Sequence, residues 1–141
     1  MEGEIRGRLR IADQPDGNVR ADFEWREMID LIWPPRDLHP NARPHWAVKA
    51  KAVKGYRDYA EVMARQSGLI VTADKTLHLH AIFYPPSKRH YDIDGLLSNI
   101  KAGIDGIADG LGINDYAFRS ASVEIGDVMK GGGVRVVISE R

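Results

Sequence analysis

The sequence predicts an α+β fold: one domain in which two main helices pack on a mixed or mostly antiparallel sheet. Three features carry that expectation. Two segments, about residues 45–66 and 94–111, place apolar side chains at three- and four-residue steps. Between them, Thr76–Tyr84 alternates between two faces, as a strand does. The other strand-like runs lie outside the two helices, so the order is strands, helix, strand, helix, strands.

Taken in order, residues 1–30 read as an N-terminal extension and residues 31–141 as the folded domain. Within the extension, Arg6–Ile11 and Val19–Trp25 flank a turn-prone Gln14-Pro-Asp-Gly-Asn stretch and suggest a hairpin. Met28–Trp33 is a short apolar run ended by Pro34-Pro35, a buried strand. After a proline-rich loop, the first helix runs from about His45 to Gln66 and stops at Ser67-Gly68. Trp46, Ala50, Val53, Tyr56, Ala60 and Met63 form its predicted core stripe. That spacing assigns Trp46 and Tyr56 to the core rather than to base stacking. On Thr76–Tyr84, Leu77, Leu79, Ala81 and Phe83 share one face, and Pro85-Pro86 ends the strand. The second helix starts at Asp94 or Gly95 and ends at Leu111, burying Leu96, Leu97, Ile100, Ile104, Ile107, Ala108 and Leu111. Gly103, Gly106 and Gly110 lower its intrinsic propensity, so packing must compensate. Ser120–Val128 and Val134–Ser139, separated by Lys130-Gly-Gly-Gly133, are expected to pair as a terminal hairpin.

A chain of 141 residues suits one domain with a modest core. No apolar run approaches the roughly 18–20 residues a membrane helix needs, and the first residues lack a secretory signal's apolar centre. There is no cysteine, which excludes disulfides, zinc–thiolate sites and thiol catalysis and suits a reducing cytoplasm. Formal net charge is zero, but the charges segregate. Arg36, Arg43, Lys49, Lys51, Lys54, Arg57 and Arg65 face only Asp37, Asp58 and Glu61 across residues 36–65. From Asp92 to Asp115 the aspartates 92, 94, 105, 109 and 115 face only Lys101. Basic residues that grip a nucleic-acid backbone, followed by carboxylates that hold a divalent ion, are what phosphodiester hydrolysis requires. Two solvated helix faces of opposite sign account for the same pattern.

The stretch with most chemical content is His90-Tyr-Asp-Ile-Asp-Gly-Leu-Leu, with Gly112-Ile-Asn-Asp115 beyond the helix. In extended chain, Asp92 and Asp94 point the same way and can share a Mg²⁺, a hard ion suited to a few carboxylates. Asp94, Lys101 and Asp105 then fall along one line of the helix, and a returning loop can bring Asp115 to the ion. The alternative is a helix cap at Asp94 and a surface ion pair between Lys101 and Asp105. His78 and His80 share a strand face without a nearby carboxylate in sequence, so they read as a solvated or interface pair. His45 and His90 flank the basic segments as phosphate contacts, and His39 reads as ordinary loop. The Lys130-Gly-Gly-Gly133 run is a turn, not a phosphate loop.

In combination, Trp33-Pro-Pro, Asn41-Ala-Arg-Pro-His-Trp46, Phe83-Tyr-Pro-Pro, Asp92-Ile-Asp-Gly-Leu-Leu, Lys101, Asp105 and Asn114-Asp115 resemble the RusA family of Holliday-junction resolvases, in a phage- or prophage-type variant. The resemblance runs from about Ile32 to the C-terminus. It implies a homodimeric α+β endonuclease of DNA recombination and repair, dependent on Mg²⁺ (or Mn²⁺), that nicks four-way junctions in pairs. Asp92, Asp94 and Asp115 match the family's metal-binding aspartates and Lys101 its helix lysine, which together form the expected catalytic set. Arg43 and His45 match its basic first loop, and Lys49, Lys51, Lys54, Lys88 and Arg89 extend the expected DNA contact. Gly95 stands where the family carries Asn, Lys101 lies further along the helix than in the shortest members, and Asn114 replaces the first residue of a closing Asp-Asp. Those departures keep open a catalytically weakened DNA-binding protein on the same fold.

Overall fold

The computed structural model describes residues 28–72 and 74–141. The expected hairpin within residues 1–27 lies outside them. The described chain forms β1 (Met28–Leu31), α1 (Trp46–Ser67), β2 (Leu77–Tyr84), α2 (Ile93–Leu111), β3 (Phe118–Ile125) and β4 (Gly133–Glu140), with single 3₁₀ turns at Arg36–Leu38 and Asp115–Ala117. The fold is α+β, as predicted. Both helices pack on one face of a four-stranded mixed sheet of order β1-β4-β2-β3. Met28–Asp30, on the extension side of the sequence boundary, pair with β4 and belong to this sheet.

The expected terminal hairpin does not form. β4 pairs antiparallel with β1 and β2, whereas β3 pairs parallel with β2 alone. β2, α2 and β3 therefore form a crossover unit, and β2 separates the two strands assigned to the hairpin. Burial explains the order. Ala81-Ile82-Phe83 and Val136-Val137-Ile138 are buried without a break, as central strands are, whereas β3 contains no fully buried residue. The glycine turn is real, with Gly131 and Gly132 at positive φ, but it returns the chain past β2 rather than folding β3 onto β4. Met129 N–H donates to the Pro85 carbonyl on that path.

The α1 stripe also needs correction. Tyr56, Ala60 and Ala64 are its buried residues, Val53 and Met63 are partly buried, and the first turns overhang the core. Trp46 is 75% exposed and Ala50 is exposed, against the core assignment. Small residues dominate the buried stripe because α2 crosses it closely. A Cβ placed on Gly106 runs into the Arg57 carbonyl oxygen and comes within 2.8 Å of Ala60 Cβ. On Gly110 it meets the Glu61 carbonyl at 2.5 Å and Ala64 Cβ at 2.7 Å. Packing is thus what compensates the helix glycines. Gly106 and Gly110 therefore face α1 within the chain rather than a second copy.

Candidate functional site

Two proline pairs build the site. β1 and β2 both run antiparallel to β4, so they end at the same edge of the sheet. Pro34-Pro35 and Pro85-Pro86 follow those ends, and proline cannot continue a sheet ladder. The loops that follow therefore leave from one edge, where Phe83, Trp33 and Tyr91 pack edge to face in series at 6.0 and 5.6 Å. Tyr91 fixes the basic loop: its ring carries the Arg89 guanidinium at 5.2 Å, and its hydroxyl lies 3.3 Å from Ser87 Oγ.

Between the loops lies a cleft of about 530 Å³, lined in part by His39, Asn41, Arg89, His90, Asp92 and Asp94. α2 starts here. Asp92, in extended conformation, is its N-cap residue, but its side chain makes no capping hydrogen bond. Asp94 lies in the first turn, and its Oδ1 accepts from the Gly95 N–H at 2.9 Å. The two carboxylates are therefore not both on extended chain, as the alternation argument assumed, yet they open onto one cleft. The α2 N-terminus favours negative charge there, whether side chain or phosphate.

The other expected site residues lie elsewhere. Lys101 is two turns along α2, 3.5 Å from Asp105, and does not line the cleft. Asp115 follows α2 at the opposite edge of the sheet. Arg57 marks that end: it binds Asp109 through Nε at 2.7 Å and Nη2 at 3.1 Å, with Asp105 and Asp115 close enough to reinforce its charge. The Arg57 hydrogen bonds hold the Asp109 carboxyl below the usual carboxylate range. A helix rises about 1.5 Å per residue, so Asp94 and Asp109 stand about 22 Å apart. The loop after α2 does not return Asp115 to Asp92 and Asp94. Among the described residues, no three His, Asp or Glu side chains group as a metal site within one chain.

The basic residues also divide. Arg43 is exposed in the first loop, and Lys88 is exposed beside Arg89. His45 caps α1 by accepting the Ala47 N–H on Nδ1 at 3.1 Å. Lys49 and Lys54 border one side of α1 with Trp46, whereas Lys51 faces the other side near Ile32 and Val48. Lys54 is paired with Asp58 at 2.8 Å.

No family model matches the chain. A protein of Xylella fastidiosa (strain Temecula1) named "Uncharacterized protein" is 44% identical over 122 residues, 84% of this chain and 80% of the relative. The two chains belong to one family. A continuous match of that share includes both helices and all residues lining the cleft, wherever its ends fall. The relative's name attaches no activity to the family.

Two features of this family member were missed in the sequence. His39, read as ordinary loop, lines the cleft because the 3₁₀ turn at Arg36–Leu38, anchored by buried Leu38, directs the chain there. His78 and His80 do have a carboxylate nearby. Parallel pairing sets Ser120, Ser122 and Glu124 beside them, giving contacts of 2.7 Å (His78 Nδ1–Ser120), 2.9 Å (His78 Nε2–Ser122), 2.6 Å (His80 Nδ1–Ser122) and 2.9 Å (His80 Nε2–Glu124). The rings are engaged in a cross-strand chain rather than simply solvated. Only the strand order reveals this, since Ser120 is 42 residues from His78 in sequence. Among the described residues, no helix is long and apolar enough to cross a membrane.

Proposed function

We propose that the protein is a metal-dependent, structure-specific endodeoxyribonuclease resembling the RusA resolvases, acting in the cytoplasm as a homodimer on four-way or other branched DNA. The observation that supports this most is the cleft at the start of α2. It brings Asp92 and Asp94 together with Arg89, His90 and Asn41, and Asp92 has no capping bond to occupy it.

The donor set fits a hard divalent ion. Mg²⁺ commonly takes one or two carboxylates, several waters and the substrate's own phosphate oxygen. Asp92 and Asp94 would hold it, with Mn²⁺ as the alternative ion. Such an ion, when bound, supplies polarisation of the phosphodiester and an activated water. The chain's own residues do the rest. Arg89, held over Tyr91, would bind a backbone phosphate with its guanidinium fork. Lys88, Arg43, His45 and the exposed Lys49, Lys51 and Lys54 would extend phosphate contact outward, giving strong salt dependence and little sequence preference. Lys101 does not line the cleft, and Asp115 lies beyond the far end of α2, too distant to reach this ion in the same chain, so its participation requires a second copy.

A non-cleaving junction binder on the same fold is the second reading. The specific observation favouring it is that one chain brings together only two of the expected three carboxylates. Nicking of a synthetic four-way junction, compared with linear duplex, with and without Mg²⁺ or Mn²⁺, separates the two. The expected outcome is paired, metal-dependent nicks that are lost in Asp94→Asn. Tight junction binding without nicks in either metal would establish the binder instead.

A further inference from the structure

We infer that His39 is a phosphate-binding residue of the cleft, donating through its Nε2–H to a phosphodiester oxygen of bound nucleic acid. The inference rests on the cleft reading above and adds a ligand contact on the wall opposite α2. His39 is held from three directions. Its N–H donates to the Arg36 carbonyl at 3.0 Å, its carbonyl accepts from the Ala42 N–H at 2.9 Å, and its Nδ1 accepts from the Asn41 N–H at 3.0 Å. Buried Leu38 anchors the turn immediately before it.

The last of those bonds decides the chemistry. A backbone N–H can donate only to a ring nitrogen that carries a lone pair, so the imidazole proton sits on Nε2. Among the described residues no hydrogen bond engages that Nε2. A half-buried ring, held by one hydrogen bond of its own on a backbone anchored by two more, thus brings one unengaged N–H to a cleft that also holds two carboxylates. A neutral donor suits this position. Arg89 already brings one full cation to this cleft, and a second beside Asp92 and Asp94 would compete with a metal ion for them. An imidazole N–H binds phosphate without that competition. Because backbone hydrogen bonds fix the ring beforehand, little ordering cost accompanies ligand binding.

Two substitutions separate the roles of the two ring nitrogens. In His39→Asn the amide oxygen takes the place of Nδ1, which keeps the turn but removes the outer donor. In His39→Gln the amide N–H takes the place of Nε2–H, which keeps the donor but loses the turn acceptor. Affinity of the full-length chain for a synthetic four-way junction is measured by fluorescence anisotropy in EDTA, so that no metal or turnover contributes. We expect His39→Asn to bind about 10-fold more weakly and His39→Gln to stay within about threefold of the parent, as for one hydrogen bond to a charged oxygen. In parallel, ¹⁵N–¹H correlation of the imidazoles should show His39 protonated on Nε2, with that signal moving on junction addition. The reverse order of affinities would mean that His39 only holds the turn. Equal affinities, with an unmoved ring signal while the parent binds tightly, would overturn the contact and leave the nuclease reading intact. A parent chain that binds no junction would overturn both.

Discussion

At the residue scale, pairs of side chains clamp the backbone near the site. Tyr56 donates its hydroxyl hydrogen to the Ile32 carbonyl at 2.7 Å, and the Ile32 N–H donates to the Tyr59 hydroxyl at 2.9 Å. Both tyrosines come from α1, their rings stacked at 5.8 Å, so one helix holds both polar groups of the residue that leaves β1. Burial pushes the Tyr56 phenol well above its ordinary range, so the hydroxyl keeps its proton and remains a donor. Tyr56→Phe keeps the ring and leaves the Ile32 carbonyl without that partner. The expected loss is about 1 kcal/mol of unfolding free energy, read from the urea midpoint at unchanged slope. A shift below the error of the fit would mean that water replaces the tyrosine.

At the element scale, the contact between α1 and α2 does most to position the site, because it sets where α2 begins. Gly106 and Gly110 let the helices approach until the α1 backbone itself is the contact surface. Gly106→Ala gains helix propensity, worth about 1 kcal/mol in isolation. It also places a methyl group against the Arg57 carbonyl, which cannot rotate away as a side chain can. Overpacking then costs roughly 1–3 kcal/mol or more. We expect a net destabilisation, seen as a lower melting temperature, while the same change at exposed Gly55, which has nothing within 4 Å, should be neutral or stabilising. A stabilised Gly106→Ala would mean that the helices can separate at little cost. Arg57 joins the same two helices through Asp109, next to the contact its carbonyl makes with Gly106.

At the scale of the whole molecule, the crossover topology separates groups that are close in sequence order. β2 runs to one edge, α2 returns to the other, and β3 starts there, parallel to β2. The start and end of α2 must therefore lie at opposite edges of the sheet, with Asp92 and Asp94 at one and Asp115 at the other. If Asp115 serves the same ion in the proposed nuclease, it comes from a second copy. Mixing tests this directly. Asp94→Asn and Asp115→Asn, each inactive alone, should recover roughly a quarter of parental nicking once equal amounts exchange subunits, because about half of the dimers are then heterodimers and each has one of its two sites intact. Lack of recovery, with exchange shown by a tagged subunit, would place Asp115 outside the site or within its own chain's site.

Much of this was legible in the residues themselves. Alternation marked β2, three- and four-residue spacing marked both helices, and paired prolines marked where the strands end, because each is a local consequence of backbone geometry and burial. The carboxylates at 92 and 94 were visible as a pair because residues two apart in extended chain share a face, although the helix begins between them. Strand order was not legible, since a glycine turn fits either a hairpin or a path around a third strand. The unbroken apolar runs of β2 and β4 were the available sign that both are central. Nor was the exposure of Trp46, because periodicity specifies a face but not how far the partner layer extends beneath it. Residue spacing by itself determined the α+β class, the elements and the pair of aspartates. Only the tertiary structure decided that His39 joins that pair, that Asp115 does not do so within one chain, and that the helix glycines face inward. Those are distances between segments far apart in sequence, set by how the layers pack rather than by any local preference.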